Sequence, residues 1–221
     1  MGAGMNIRVL MADDHKIFLE GLRSLLSAEP QMEVVAEVDN GRSAVESALE
    51  IDPDVVLMDI SMEELNGIEA ARQICAERSD IRVLCLSMHA DREFVDAALR
   101  AGASGYLLKD CEMDELVRAI RVVANGRVYL SPAVAGSVLE GYRNGGLRTE
   151  SKAVSVLSTR EREVLQLLAE GHPTRDIAER LGVSVKTIST HRENLMQKLQ
   201  IRSVAGLTKF AIREGLTSVA N

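Results

Sequence analysis

The chain has 221 residues, of which 46% are hydrophobic, which is enough for the packed cores of one large or two small domains. No apolar run approaches the roughly 20 residues of a membrane span, which argues against a membrane-spanning protein. The three cysteines lack metal-ligand spacing, which argues against a cysteine-bound metal site. Residues 1–130 hold 24 acidic and 13 basic residues (net charge −11) and residues 131–221 hold 9 and 13 (net charge +4), which suggests a nucleic-acid module beside a module with another task.

Short apolar runs alternate with amphipathic segments over the first 125 residues. The five runs are Ile7–Ala12, Glu33–Val38, Val55–Met58, Val83–Ser87 and Gly105–Leu108. Val55–Met58 has no polar alternation, as expected of a central parallel strand that is covered on both faces. Between the runs, apolar residues recur at helical spacing. Five strands alternating with five helices predict an α/β domain with a parallel sheet and right-handed crossovers.

The remainder of the chain lacks strand signals and is predicted to be all-α. Ser131-Pro132 can start a short helix, and Gly141, Asn144, Gly145 and Gly146 mark a flexible linker. Four helices are predicted after it: one capped by Thr159 and ended by Gly171, then Arg175–Leu181 capped by Thr174, Val185–Leu199 capped by Ser184, and Ser203–Glu214. The expected organisation is a domain over 5–126, a linker with a short helix over 127–154, and a second domain over 155–221.

Residues suited to phosphoryl chemistry follow four of the predicted strands. Asp13 and Asp14 end the first strand, Asp59 the third and Ser87 the fourth, and Lys109 follows the fifth. In a parallel sheet of strand order 2-1-3-4-5 these four strands adjoin, and active sites lie beyond the carboxyl ends of such strands. We therefore expect these side chains to converge at one edge of the sheet.

Three carboxylates in one pocket repel one another unless a cation joins them. A few oxygen ligands, with room for water and phosphate, suit Mg²⁺. Asp59 could then attack a phosphoryl donor as a carboxylate nucleophile, because the metal neutralises some phosphoryl oxygens while Lys109 and the Ser87 hydroxyl bind others. The pattern predicts a phosphoacceptor site at Asp59.

Two other classes of protein fit these residues less well. Metal-dependent phosphatases with an aspartate nucleophile need a second aspartate two residues later, where this chain has Ser61, so turnover lacks its proton donor. A flavodoxin-like cofactor binder needs a phosphate loop after the first strand, where Asp13 and Asp14 would repel phosphate. We expect no turnover enzyme, only self-phosphorylation and dephosphorylation chemistry at Asp59.

Residues 7–125 resemble the receiver domains of two-component response regulators. The motifs that carry the resemblance are Ala12–His15, Leu57–Met62, Asn66-Gly67, Leu86–His89 and Gly102–Asp110. The resemblance implies a flavodoxin-like (βα)5 fold and phosphorylation of Asp59 by a sensor histidine kinase. It implies Mg²⁺ held directly by Asp14, Asp59 and the backbone carbonyl of Ser61, with Asp13 bound through water.

The resemblance also implies a set of switch residues, Ser87 and Tyr106, with His89 beside them. Phosphorylation adds about −1.5 to −2 charges. Ser87 is expected to move to the new oxygens, and Tyr106 to rotate inward into the space that Ser87 leaves.

Residues 174–199 have the pattern of helix, tight turn and helix, the turn being Leu181–Ser184. The inward face is predicted to consist of Ile177, Ala178, Leu181, Val185, Ile188, Leu195 and Leu199. The outward face, which fits the major groove, is predicted to consist of Lys186, Thr187, Ser189, Thr190, Arg192 and Glu193. Cations and hydroxyls can reach phosphates, and Ser189, Thr190 or Glu193 can reach base edges. A helical bundle with a solvated polar face is the alternative.

The stretches Leu157–Leu165 and Ile177–His191, with Gly171 between them, resemble LuxR-type helix-turn-helix domains. Together with the receiver, the resemblance to the NarL/FixJ class of response regulators covers nearly the whole chain. It implies DNA contacts by Lys186 and Thr187 and dimer contacts by the last helix.

The expected protein is cytoplasmic and does not bind membranes. Phosphorylation of Asp59 would switch its binding to specific double-stranded promoter DNA, as a homodimer in the active form, and RNA polymerase is a further candidate partner. The alternative is a DNA-binding regulator that works without phosphorylation, its receiver serving as an interaction domain.

Overall fold

The computed structural model describes residues 6–62, 65–143 and 156–217. The chain divides into two compact units, residues 1–146 and residues 147–221. The predicted linker residues Asn144, Gly145 and Gly146 lie outside the described residues. Within the described ranges, no helix is both long enough and apolar enough to cross a membrane.

The first unit is built on a parallel sheet of strand order β2-β1-β3-β4-β5-β6, which contains the predicted order 2-1-3-4-5. Its strands are β1 (Ile7–Ala12), β2 (Met32–Val38), β3 (Val55–Asp59), β4 (Arg82–Ser87), β5 (Gly105–Leu108) and β6 (Tyr129–Leu130). Every residue of β3 is buried. The predicted α/β class and flavodoxin-like architecture are confirmed.

Within the described part of this unit, six helices accompany the sheet, and asparagine side chains fix the start of two of them. The helices are α1 (Lys16–Ala28), α2 (Gly41–Ile51), α3 (Gly67–Glu77), α4 (Arg92–Arg100), α5 (Met113–Ala124) and α6 (Pro132–Arg143). Asn40 and Asn66 cap α2 and α3, each side-chain oxygen accepting a backbone N–H bond at 2.8 Å. These bonds satisfy donors that helix geometry leaves unpaired.

A separate hydrophobic core lies on each face of the sheet. Successive residues of β3 point alternately into one core and the other. Val56 and Met58 pack with residues of α2, α3 and α4, whereas Val55 and Leu57 pack with residues of α1 and α5. Helices therefore cover both faces, which explains the continuous apolar run of β3.

The predicted linker over 127–154 begins too early. Tyr129–Leu130 pairs with β5 as a sixth strand, and α6 packs against α4 with Val134 fully buried in the core. The helix also continues through Gly141, which the sequence assigns to a flexible linker. Residues beyond 126 thus belong to the first unit, because they complete its sheet edge and cover apolar surface on α4.

The second unit is all-α, as predicted. Its helices are α7 (Thr159–Ala169), α8 (Thr174–Arg180), α9 (Val185–Leu199) and α10 (Val204–Arg213). Ser184 caps α9 as predicted, accepting the Thr187 N–H at 3.1 Å. The cap of α7 is Ser158 rather than Thr159, because Ser158 and Glu161 form a reciprocal capping box. Thr174 begins α8 instead of capping it.

One core joins the four helices described for this unit between residues 156 and 217, and one predicted core residue is absent from it. Ile177, Ile188 and Leu195 are fully buried with residues of α7 and α10. Val185, predicted to face inward, is 48% exposed. It is the first residue of α9.

Candidate functional site

The carboxyl ends of β1, β3 and β5 bring together a cluster of acids around one lysine. Asp13 and Asp59 are buried, and Asp14 is partly buried. Lys109 follows β5, and its Nζ lies 2.7 Å from Asp13 Oδ2 and 2.9 Å from Asp59 Oδ2. The structure therefore brings these predicted residues together, and we call the group of Asp13, Asp14, Asp59 and Lys109 the acid pocket.

Burial opposes the negative charge of Asp59 and raises the pKa of its carboxyl group above the usual range. The ammonium of Lys109 acts in the opposite direction, and the charge of Asp13 adds to the effect of burial. The single positive charge of Lys109 thus does not neutralise the three carboxylates of the pocket. A bound cation would favour the ionised carboxylate that nucleophilic attack requires.

The donor atoms of the acid pocket fit a small divalent cation. Asp13, Asp14, His15 and Asp59 each offer a ligand atom, and these atoms lie within 4.8 Å of one another. The Lys109 ammonium contacts Asp13 Oδ2 and Asp59 Oδ2, and His15 Nδ1 lies 2.7 Å from Asp14 Oδ1. Three carboxylates around one lysine form a mostly oxygen donor set, which suits Mg²⁺.

Two neighbours of the pocket were not singled out by the sequence as site residues. His15 Nδ1 lies 2.7 Å from Asp14 Oδ1 and 3.1 Å from Asp13 Oδ1. The Phe18 ring lies under Lys109, with Nζ 4.9 Å from the ring centroid. Such a cation–π contact helps to hold the ammonium toward the acids. The position of His15, directly after the two aspartates, was the available signal.

Ser61 contacts Asp59 through a different backbone group from the one predicted as a metal ligand. Its N–H donates to Asp59 Oδ1 at 3.1 Å. This bond fixes the rotation of the carboxylate and favours its ionised form. Metal coordination by the Ser61 carbonyl remains a prediction.

Gly67 sets the backbone position of Asp59. A Cβ atom at Gly67 would lie 1.9 Å from the Asp59 backbone oxygen and 2.8 Å from its carbonyl carbon. The Gly67 N–H also donates to the Ile60 carbonyl at 3.2 Å. The start of α3 can therefore approach the end of β3 only because residue 67 lacks a side chain.

The three predicted switch residues form one hydrogen-bonded group beside the pocket. Ser87 is buried, and its Oγ accepts the His89 N–H at 2.9 Å. The Tyr106 hydroxyl donates to the His89 carbonyl at 2.8 Å and is also hydrogen-bonded to Ser87. The His89 ring stacks on Phe94 of α4 at a centroid distance of 4.9 Å. This chain of contacts leads from Ser87 to α4.

The Tyr106 side chain is fully buried. Its hydroxyl donates to the His89 carbonyl, and its ring packs in the core that contains Val95 and Ala98 of α4. The inward rotation of Tyr106 on phosphorylation stays a prediction.

The predicted DNA-contact residues lie along α9 in the second unit. Lys186, Thr187, Thr190 and Glu193 are exposed, and Ser189 and Arg192 are partly exposed. The Ser189 and Thr190 hydroxyls donate to the carbonyls four residues earlier, each at 3.1 Å. Such back-bonded hydroxyls keep lone pairs free but have their protons engaged.

Long-range polar contacts anchor α9 to α7 and were not predicted from the sequence. Lys198 Nζ lies 2.7 Å from Glu161 Oε2 and donates to the Val156 carbonyl at 3.2 Å. Although burial acts against it, the contacts from Lys198 and Ser158 lower the pKa of Glu161 below its usual range. Arg160 joins α7 to the turn before α9, donating to the Leu181 carbonyl at 2.5 Å.

Family models match both units of the chain. Residues 9–121 match the response regulator receiver domain, and residues 155–211 match the bacterial regulatory proteins of the luxR family.

Curated relatives match over nearly the whole chain. The transcriptional regulatory protein DegU of Brevibacillus brevis is 38% identical over 226 residues, covering 96% of each chain. The transcriptional regulatory protein LiaR of Bacillus subtilis is 40% identical over 215 residues, covering 96% of this chain and 100% of LiaR.

Solved structures of the response regulator RcsB are also similar. RcsB of Salmonella typhimurium superposes with a TM-score of 0.58 at 27% identity, covering 93% of this chain and 98% of RcsB. A structure of two RcsB dimers bound to two parallel DNAs gives a TM-score of 0.57 at 27% identity, covering 94% and 98%.

Proposed function

The chain belongs to the NarL/FixJ class of two-component response regulators, and from this membership we propose that phosphorylation of Asp59 switches its binding to specific DNA. The observation that carries the proposal is the convergence of Lys109 on Asp59 and Asp13 at the carboxyl edge of the sheet. A nucleophile, a fixed cation and further acid ligands lie together there.

Each residue of the acid pocket has a role in this proposal. Mg²⁺ held by Asp13, Asp14 and Asp59 would neutralise charge on a phosphoryl group. Asp59 attacks the phosphorus of a phosphohistidine donor, and the bond from phosphorus to the donor nitrogen breaks as the acyl phosphate forms. Lys109 and the Ser87 hydroxyl bind the phosphoryl oxygens. With Ser61 two residues after the nucleophile, the chemistry is confined to Asp59 itself, and we propose no turnover enzyme.

An apolar groove beside the acid pocket supports docking of a sensor histidine kinase. The groove has a volume of about 710 Å³, and its lining includes His15, Ile17, Phe18, Met88, Lys109 and Met113. Ile17 is 87% exposed and Met88 is 71% exposed, which is unusual for large apolar side chains in a soluble fold. A kinase helix that carries phosphohistidine would bury these residues and bring its phosphoryl group to Asp59.

We further propose that the active form is a homodimer on double-stranded promoter DNA, as RcsB dimers are bound to DNA in the solved structure. We propose that the protein acts in the cytoplasm, with RNA polymerase as a further candidate partner. The exposed face of α9 is the part that would enter the major groove.

Lys186→Ala should weaken DNA binding on all sequences. No described residue pairs with the Lys186 ammonium, which is exposed in the first turn of α9 and available to a phosphate. Loss of one phosphate contact lowers the slope of log affinity against log salt by about 0.9. Fluorescence anisotropy titrations over a range of salt concentrations measure this slope. Lys209→Ala, which removes the same charge from α10, should leave the slope unchanged; equal slopes for wild type and Lys186→Ala would place this lysine away from the DNA backbone.

The proposed switch is tested by genome-wide DNA binding with and without acetyl phosphate and Mg²⁺. Occupancy of specific sites should rise on phosphorylation of the wild type and stay constant for Asp59→Asn, because the variant cannot form the acyl phosphate. Site-specific binding that is equal in all four samples would instead support a regulator that works without phosphorylation.

A further inference from the structure

Val185 exposes an apolar side chain on the helix whose outer face is proposed to enter the major groove. All 15 residues of α9 are described, and among them Val185 is the one large apolar residue that is exposed, at 48%. The other apolar residues of the helix, which include Ile188 and Leu195, are buried or partly buried in the core of the second unit. Valine also has a lower helix propensity than most unbranched residues. Neither packing nor helix stability therefore accounts for a valine at this position.

Val185 belongs to a row of residues that includes two of the predicted base contacts. Residues four positions apart lie on the same side of a helix, so Val185, Ser189 and Glu193 follow one another along α9. The first two are in direct contact, because the Ser189 hydroxyl donates to the Val185 carbonyl at 3.1 Å. Lys186 lies beside the row and is exposed, and the first turn of α9 contains no acidic residue that would repel DNA. The Val185 side chain is therefore placed among groups that suit the same ligand.

The polar members of this row can only accept hydrogen bonds. The proton of the Ser189 hydroxyl is engaged by the Val185 carbonyl, and an ionised carboxylate such as that of Glu193 has no proton to donate. In the major groove, such acceptors match the amino groups of adenine and cytosine. Thymine presents an acceptor, O4, beside its C5 methyl group, so this row can recognise thymine only through an apolar contact. Val185 supplies the apolar surface of the row.

We propose that Val185 is a specificity-determining residue of the second unit, which recognises a thymine by packing against its C5 methyl group in the major groove. In helix-turn-helix complexes, the N-terminal residues of the recognition helix are those that contact base edges. Burial of the Val185 side chain against the methyl group removes apolar surface of both partners from water, which favours thymine over a base without that group. The inference rests on the proposed DNA binding by α9 and adds a base preference to it.

The test replaces thymine by deoxyuridine, which forms the same base pair and lacks only the C5 methyl group. A specific duplex is first selected from a random-sequence library with the full-length chain in the presence of acetyl phosphate and Mg²⁺. Each thymine of that duplex is then substituted in turn, and fluorescence anisotropy titrations at one salt concentration measure the affinities. At one thymine of each half-site, the wild type should lose about fourfold in affinity, the effect of burying one methyl-sized group.

Val185→Ala should remove this discrimination, so that its affinities for the thymine and deoxyuridine duplexes differ by less than about twofold. Val156→Ala makes the same change at a valine of the second unit that is 51% exposed, and it should keep the wild-type ratio. A wild type that is insensitive to every deoxyuridine substitution, or a wild-type ratio that persists in Val185→Ala, would refute the role of Val185 while leaving DNA binding intact. A wild type that enriches no sequence from the library would refute the proposed binding to specific DNA itself.

Discussion

Asp59→Asn is expected to abolish phosphoryl uptake from acetyl phosphate completely while leaving the first unit folded. An amide cannot form an acyl phosphate, so no residual rate is expected at this position. Asparagine has nearly the same shape as aspartate and removes a charge that burial penalises, so the packing around β3 should persist. The measurement is the amount of hydroxylamine-sensitive phosphate on the protein after incubation with the donor and Mg²⁺.

The matched control is Asp39→Asn, which makes the same change at the same edge of the sheet. Asp39 directly follows β2, an outer strand, and is exposed, away from the contacts of the acid pocket. It should take up phosphate at the wild-type rate. Hydroxylamine-sensitive label on Asp59→Asn at the wild-type level would show that another residue is the acceptor.

Gly67→Ala is expected to destabilise the first unit and to displace the phosphoacceptor. The new Cβ would meet the Asp59 backbone oxygen at 1.9 Å, and backbone atoms of a buried strand cannot move aside as a side-chain tip does. Overpacking of this kind costs about 1–3 kcal/mol or more, against a gain of up to about 1 kcal/mol from the better helix propensity of alanine. The rate of phosphoryl uptake should fall with the displacement of Asp59.

Urea denaturation followed by tyrosine fluorescence measures this loss in the full-length chain. The chain has no tryptophan, and its three tyrosines all lie within residues 1–146, so the signal reports on the first unit. Gly21→Ala is the control, because a Cβ there meets nothing within 4 Å in the middle of α1. Gly21→Ala should be neutral or stabilising; a similar loss in both variants would mean that the contact with Asp59 is not the cause.

The sequence was most informative where one strand supplies both packing and chemistry. The apolar run that ends at Asp59 fixes a central strand, and the parallel arrangement then brings Asp13 and Lys109 to the same edge. Both steps depend on local patterns and on one general property of parallel sheets. This is why the acid pocket could be predicted without knowledge of any distance.

The features that escaped prediction depend on contacts between distant residues or on very short elements. A two-residue strand such as Tyr129–Leu130 carries no periodic signal. The Lys198–Glu161 pair joins residues 37 positions apart, and each of its members alone resembles an ordinary surface charge. The cap of α7 is shifted by one residue because Ser158 and Thr159 are both good caps, and only Ser158 has its partner Glu161 three residues later.

The pairing of β6 with β5 bears on how the first unit should be isolated. Tyr129 donates its N–H to the Ser104 carbonyl at 3.1 Å, and Ser131 donates to the Tyr106 carbonyl at 3.1 Å. A fragment cut at residue 126 would leave these carbonyls unpaired along an open strand edge and would uncover the apolar surface of α4 where Val134 is buried. Open edges of this kind recruit strands from other molecules. Oligomers formed by such a fragment would therefore result from the exposed edge of β5 and not from the contacts of the complete receiver. The self-association of the receiver should be measured on a chain that extends through Arg143.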